Sequence, residues 1–423
     1  MKKWYSLIDK IYRKENLELA FRKVKRNHGA PGIDGETVLD FNEALETNIE
    51  FLHENEKLKT NTYEPDPVRR VEIEKPDGGI RLLGVPTVKD RVVQQAIVNI
   101  IEPIYEPTFH PSSYGYRPNH SPQQAVAKAE RFMNRYGLTE VVDMDLSKCF
   151  DTLDHEILMR AVAERISDGK VLGLLRKFLK SGVMQSDRFI ETEVGSCQGG
   201  VISPLLSNIY LNQFDQKMKG KGLRIVRYAD DILIFAKDKQ TAGNYKAYAT
   251  KVLEQELKLK VNETKTRLTS VREGVTFLGF VIYAKYLVIN PKRIKRFKDK
   301  IRNITRRNAG RPLEKVIKEL NPVLRGWLNY YRIANIKSLI TEMMSWIRRR
   351  LRMIKMKQWK TYKAMHKAMR KQGIKGSGEK MAVTKWKNSN VHVIHMLLSN
   401  QYFEDLGLID LGQYKVGLLS NYY

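Results

Sequence analysis

Apolar residues recur at three- to four-residue spacing over residues 6–28, where Leu7, Ile8, Ile11, Leu17, Ala20, Phe21 and Val24 predict a helix. Similar spacing predicts helices over 38–58, 86–106, 154–183 and 241–257, and again over 293–305, 312–331 and 336–365. Between them the pattern changes to β-rich runs. Residues 68–74 and 80–85 enclose Pro76-Asp77-Gly78-Gly79, a hairpin signal. Residues 141–145 form an apolar strand that ends in acids, and 224–235 form two apolar arms around the adjacent pair Asp230-Asp231. A strand region over 257–266 and a hairpin over 275–282 complete the set. Gly/Pro-dense segments at 27–35 and a loop at 112–119 punctuate the chain. Helices and strands in this arrangement predict an α+β fold.

The acids at these strand ends carry the first candidate chemistry. On a flat strand Asp230 and Asp231 point to opposite faces, but in a turn both lean toward one point. Alone, the pair reads equally well as a solvated Asp-Asp turn, since Asp is a common turn residue. Asp143 and Asp145 share a face of the second strand by period two. Carboxylates from two strands meeting at one sheet edge make an oxygen-rich site suited to Mg²⁺. Two such ions serve phosphoryl transfer. Lys75 and Arg81 flank the first hairpin turn as a point charge and a fork suited to a triphosphate, or else as ordinary surface charges. Gln198 precedes Gly199-Gly200, a step that lets a backbone or ligand approach closely; an ordinary glycine turn is the alternative.

Charge changes the picture further. The net charge of +28 is concentrated: residues 291–390 hold 30 Lys and Arg against 5 acids. One strongly basic segment behind a nearly neutral body points to a polyanion, most simply a nucleic acid. Aromatics alternate with arginine at Arg325-Gly-Trp327-Leu-Asn-Tyr330-Tyr331-Arg332 and at Trp346-Ile-Arg348-Arg349-Arg350-Leu-Arg352, with Lys355 one helical turn beyond. Stacking beside phosphate-binding arginine is a mode of RNA binding. Trp327 and Trp346 are expected inside, and Arg348, Arg349, Arg350 and Arg352 outside. The loop carrying Arg117 reads as a nucleic-acid channel lining or as a packed turn. Two cysteines, Cys149 and Cys197, are too few for a disulfide framework or a four-thiolate zinc site. With no apolar run of membrane length and no apolar core behind Met1-Lys-Lys-Trp-Tyr5, a cytoplasmic protein without membrane contact is expected.

Taken together, Lys75…Arg81, Asp145…Phe150, Ser196-Cys-Gln-Gly-Gly200…Ser203-Pro204, Tyr228-Ala-Asp-Asp231, Asn262…Lys265 and Phe277-Leu-Gly-Phe280 resemble the successive blocks of a reverse transcriptase. Gly29-Ala-Pro-Gly-Ile-Asp-Gly35 and Arg325…Tyr331 resemble bacterial group II intron-encoded reverse transcriptase/maturases in particular, and the resemblance spans about residues 12–410. It implies a right-hand polymerase. Fingers and palm with an antiparallel sheet would occupy 1–285, including an N-terminal extension over 1–60. A helical thumb or maturase domain would cover 286–372, and a short DNA-binding region 373–423. Chain length and cysteine count speak against the family's optional nuclease domain.

By the same resemblance Asp145, Asp230 and Asp231 hold two Mg²⁺ ions, with Asp143 secondary and Lys265 facing the leaving pyrophosphate. Lys75, Arg81, Leu146, Phe150 and Gln198 contact the incoming dNTP, Phe150 as the gate against a ribose 2′-OH. Phe277, Leu278, Gly279 and Phe280 grip the primer. Arg117, Arg325, Arg332, Arg348, Arg349, Arg350, Arg352 and Lys355 contact nucleic acid. The implied partners are group II intron RNA, an RNA template and a DNA primer or target, in a nucleoid- or ribonucleoprotein-associated enzyme that assists splicing and retromobility; an oligomer stays open. A reverse transcriptase of another or host-adopted retroelement, serving defence or repair, and an RNA-binding splicing cofactor are the competing readings. Cys197 stands where most relatives carry proline; losing it frees φ and restores a donor.

Overall fold

The computed structural model describes residues 3–54, 58, 62–74, 78–185, 188–190, 195, 199–308, 310–374, 383 and 385–422. Two compact units divide the chain, Met1–Ser270 and Val271–Tyr423.

In the first unit the expected helix over 6–28 is two, α1 (Ile8–Ile11) and α2 (Lys14–Arg26). The Asp168 carboxylate accepts the Leu7 and Ile8 N–H groups at 2.7 and 2.9 Å, fixing the first turn, and Arg13 adopts extended backbone before α2. The region 38–58 likewise holds α3 (Val38–Glu43) and α4 (Leu45–Glu54), parted at Ala44. The Gly/Pro segment is held by guanidinium groups: Arg69 donates to the Pro31 carbonyl at 2.7 Å and Arg91 to Ala30 at 2.8 Å.

Strands β1 (Val68–Glu74) and β2 (Ile80–Val85) form the expected antiparallel hairpin, though residues 75–77 at its turn, Lys75 among them, lie outside the described residues. Beside it run β4 (Val183–Gln185) and β5 (Arg188–Ile190), giving the order β2-β1-β4-β5 with β1 and β4 parallel. Helix α5 (Val88–Tyr105) follows β2; Thr87 caps it and most of its residues are buried.

A second sheet carries the acids. Its order is β6-β7-β3-β8, all antiparallel, from β3 (Glu140–Met144), β6 (Arg224–Tyr228), β7 (Asp231–Ala236) and β8 (Arg267–Ser270). Every residue of β7 after Asp231 is buried, so both faces of this strand are covered. Helices α6 (Pro122–Asn134) and α9 (Ser203–Gly220) pack on β6, and α10 (Lys239–Lys251) on β7 and β3. The expected helix over 154–183 is α7 (His155–Ala163) and α8 (Gly169–Lys180), because Asp168 also caps α8 by accepting the Lys170 and Val171 N–H groups. Residues 257–266 run as turns around one bridge, Leu146 with Val261, and the strand begins only at Arg267.

In the second unit β9 (Val275–Phe277), β10 (Phe280–Ile282) and β11 (Leu287–Ile289) form an antiparallel sheet, and Leu278 and Gly279 make a two-residue turn with positive φ at both. Helices α11 (Pro291–Ile304), α12 (Leu313–Tyr331), α13 (Lys337–Trp359) and α14 (Tyr362–Lys371) follow. The single expected helix over 336–365 stops at Trp359, since Lys360 takes φ +59° and Thr361 caps α14. Phe280 stacks on Tyr330 at 5.7 Å and meets Tyr331 at 5.1 Å, while the Tyr330 hydroxyl donates to the Leu278 carbonyl. These contacts bind the 275–282 hairpin to the helices, within the compact unit that begins at Val271. The described part of 373–423 packs within the same unit. Arg352 on α13 donates to the Leu398 carbonyl at 3.0 Å. No helix of the described residues is long and apolar enough to cross a membrane.

Candidate active site

The pairing register decides where the acids stand. Tyr228 pairs with Asp231, leaving Ala229 and Asp230 as a two-residue turn, and Ala229 takes the positive φ of +57° that primed hairpin turns use. On the other side Met144 pairs with Ile232. Continuing that register by one residue sets Asp145 opposite Asp231.

Asp145 is held from below by the turn that follows α10. Asn262 donates its backbone N–H to the Asp145 carbonyl at 2.8 Å and its side-chain amide to Oδ2 at 3.0 Å. Lys265 Nζ lies 3.3 Å from the same Oδ2. Asp143, one pleat away, is paired with Arg267 at 3.2 Å, which gives it a partner of its own.

Electrostatics show how closely the acids are gathered. Asp231 is exposed at the end of β7, yet protein lies around it. Desolvation there, then the charges of Asp230, Asp145 and Asp143, push its pKa up to about 7. Asp230 is raised by burial and by Asp145, while Arg81 and Lys265 pull the other way. Among the described residues no three such side chains already close on one point in metal-ligating geometry. The donor set nevertheless fits a hard divalent cation: it is all carboxylate oxygen, and its mutual repulsion is what a cation relieves.

Beneath the turn lies a feature that sequence reading missed. Arg227 and Asp215 are fully buried and paired at 2.6 Å. Arg227 also donates to Asn208 Oδ1 at 3.0 Å and to the Ala229 carbonyl at 3.1 Å, so one guanidinium ties β6, α9 and the acidic turn together.

Other expected residues divide. Arg81 is exposed on β2, close enough to act on the Asp230 charge. Phe150 is half-buried in a short turn behind Lys148, which takes φ +50°. Leu146 is only 4% exposed and its side chain belongs to the core, so only its backbone could meet a nucleotide. Gln198 and Cys197 lie outside the described residues, but their neighbour Gly199 is informative. It has φ +126°, and a Cβ there would stand 2.3 Å from the Gly84 carbonyl oxygen, so the glycine step admits the backbone of β2.

The Arg117 side chain, expected at a nucleic acid, is engaged within the protein instead. Its guanidinium is buried against Glu106 at 2.6 Å and donates to the His110 and Ser113 carbonyls, holding the 110–117 loop closed. Arg352 is also turned inward, 4% exposed, bonded to Leu398 and over the Phe403 ring. Burial among apolar neighbours lowers its pKa to about 10. Arg348, Arg349 and Arg350 are half-buried and engaged with Asp410, with Trp386 and with Thr305 respectively. Trp327 is buried and stacked on Phe297 at 4.5 Å, whereas Trp346 is half-open between the guanidiniums of Arg302 and Arg350. Arg325 and Arg332 are exposed, and Lys355 is half-buried. Within the basic segment α11 presents exposed cations not named individually from sequence: Lys292, Arg293, Lys295, Arg296 and Lys300 are all exposed.

Comparison with known families agrees with this geometry. Residues 73–282 match the model for reverse transcriptase (RNA-dependent DNA polymerase), and residues 294–373 match the group II intron, maturase-specific domain. Protein YkfC of Escherichia coli strain K12 is 35% identical over 318 residues, covering 66% of this chain and 83% of its own length. The group II intron-encoded protein LtrA of Lactococcus lactis subsp. cremoris is 30% identical, over 62% of this chain and 54% of its own. The chain thus spans about half the length of that relative. A putative COX1/OXI3 intron 2 protein of Saccharomyces cerevisiae is 28% identical, over 65% of this chain and 39% of its own.

Proposed function

This chain belongs to the reverse transcriptases, RNA-dependent DNA polymerases, of the group II intron-encoded type with a maturase-specific domain, and on that premise we propose how its residues divide the work. The chain extends a DNA primer on an RNA template with dNTPs and binds its intron RNA to assist splicing and retromobility. It works among the nucleic acids of the bacterial cytoplasm, in a ribonucleoprotein. The observation that carries the polymerase reading is the register that sets Asp145 opposite Asp231, with Asp230 at the adjoining turn.

Asp145, Asp230 and Asp231 are the residues that would hold two Mg²⁺ ions. When bound, such a pair supplies activation of an attacking oxygen and charge stabilisation of a leaving one. The protein's own groups do the rest. Asn262 orients Asp145 through its amide. Lys265, with its ammonium at Asp145, is placed to offset charge on the departing pyrophosphate. Arg81 offers a fork to the triphosphate, joined by Lys75 from the same hairpin and by Gln198. Phe150 closes the space at the sugar 2′ position and selects deoxynucleotides. The Phe277–Phe280 turn, backed by Tyr330 and Tyr331, grips the primer.

Intron RNA is held by the exposed cations of α11 together with Arg325 and Arg332. The two functions therefore use different side chains. Binding and splicing of the intron RNA by Asp230→Ala test this: RNA affinity within about twofold of wild type is expected, since no phosphate contact is removed. A loss of RNA affinity in parallel with DNA synthesis would overturn the division of labour.

A further inference from the structure

A large aromatic residue stands strained and open beside the catalytic carboxylates, and the mechanism above leaves it unused. Tyr116 is 53% exposed, with φ +57°. A bulky residue in the left-handed region is held there against its preference, and such strain persists only where the surroundings enforce it.

The enforcement comes from both sides. Before it, Gly115 lies so close to the acidic turn that a Cβ would stand 2.3 Å from the Ala229 nitrogen. The Gly115 carbonyl accepts the Asn208 amide at 2.8 Å, and Asn208 is itself held by Arg227. After it, Arg117 is locked into its buried pair with Glu106. The Ser113 and Arg227 backbones also bridge in parallel. With its flanks fixed, Tyr116 presents its ring toward the site. The ring meets Phe150 edge-on, centroids 6.2 Å apart and planes at 78°. The phenol is near enough for Asp230, Asp231 and Arg81 to act on its ionisation.

We propose that Tyr116 is a specificity-determining residue of the nucleotide site, bracing the Phe150 ring and so setting the room left for a sugar 2′-substituent. The inference rests on the reading of Phe150 as the sugar gate. Phe150 sits half-buried in a short turn, and an edge-on aromatic neighbour fixes the ring's orientation where packing alone leaves it free to turn. A tyrosine that merely covers apolar surface would not need strained backbone to hold an exposed ring against Phe150.

The test is the ratio of kcat/KM for a dNTP to that for the matching rNTP. It is measured on an RNA template for wild type, Tyr116→Phe, Tyr116→Ala, Tyr116→Gly and Phe150→Ala. Glycine accepts φ +57° without strain, so Tyr116→Gly removes the ring while relieving the backbone. Thermal melts of each variant confirm folding. Tyr116→Ala and Tyr116→Gly are expected to lower discrimination about tenfold, through a lower KM for the ribonucleotide. Tyr116→Phe keeps the ring and retains discrimination. Wild-type discrimination in Tyr116→Gly, with Phe150→Ala relaxed, would overturn the inference and leave the gate standing. Unchanged discrimination in Phe150→Ala itself would remove the gate, and the inference with it.

Discussion

Asp231 carries the pH dependence this site predicts. Its carboxyl keeps a proton up to about pH 7, because protein surrounds it and three acids face it. A divalent cation competes with that proton, so Mg²⁺ affinity falls as pH drops below about 7, approaching tenfold per pH unit well below it. Mg²⁺ titrations of the chain between pH 6 and 8 measure the slope, and a flat profile would contradict it. Without cation the stability effect has the opposite sense. The unfolded carboxyl loses its proton near 3.9 and the folded one near 7, so stability falls as pH rises between them. Arg227 shows a different residue-scale effect. Arg227→Met leaves Asp215 without its partner in the core, an expected loss of about 3–5 kcal/mol. Arg227→Met with Asp215→Leu recovers most of it in urea denaturation, and failure to recover would show that the pair's hydrogen bonds, not its charges, dominate. Arg227 was not legible from sequence, and for Arg117 the packed turn was only one of two open readings. Each finds its acid only when a helix or a curled loop brings it round, and along the chain both look like free cations.

At the scale of elements, what was legible is what local pattern determines. The β6–β7 hairpin with its acidic turn, the β1–β2 arms and the β9–β10 turn all follow from apolar alternation around turn residues. Helix ends were misjudged where a distant group sets them. Asp168 both fixes the start of α1 and caps α8, and nothing within 6–28 announces it. Arg352 was misread because its covering carbonyl comes from Leu398, forty-six residues on. The glycine step at 199–200 was read as a close approach, and the approaching partner is β2 itself. Gly199→Ala would drive a methyl into the Gly84 carbonyl and displace the strand that carries Arg81. A rise in KM for dNTP of about tenfold is expected, with a smaller change in kcat, as for lost substrate binding. Steady-state kinetics check it, and an unchanged KM would separate Arg81 from the triphosphate.

Across the whole molecule, charge follows the division into two units. The basic third falls in the second unit, where Arg348, Arg349, Arg350 and Arg352 prove to be engaged within the protein and α11 carries exposed cations. Replacing Lys295, Arg296 and Lys300 together by Gln is expected to weaken RNA binding. It should also reduce the slope of log affinity against log salt by about 2, at roughly 0.7 per phosphate contact on single strands. An unchanged slope would move the interface elsewhere. The central claim concerns the first unit, that its gathered carboxylates drive DNA synthesis on RNA. It is tested most directly by primer extension on an RNA template with Mg²⁺ and dNTPs, wild type beside Asp230→Ala. Extension by wild type and none by Asp230→Ala, at equal RNA affinity, is the expected result. Extension by Asp230→Ala, or none by a wild type that still binds RNA tightly, would contradict it.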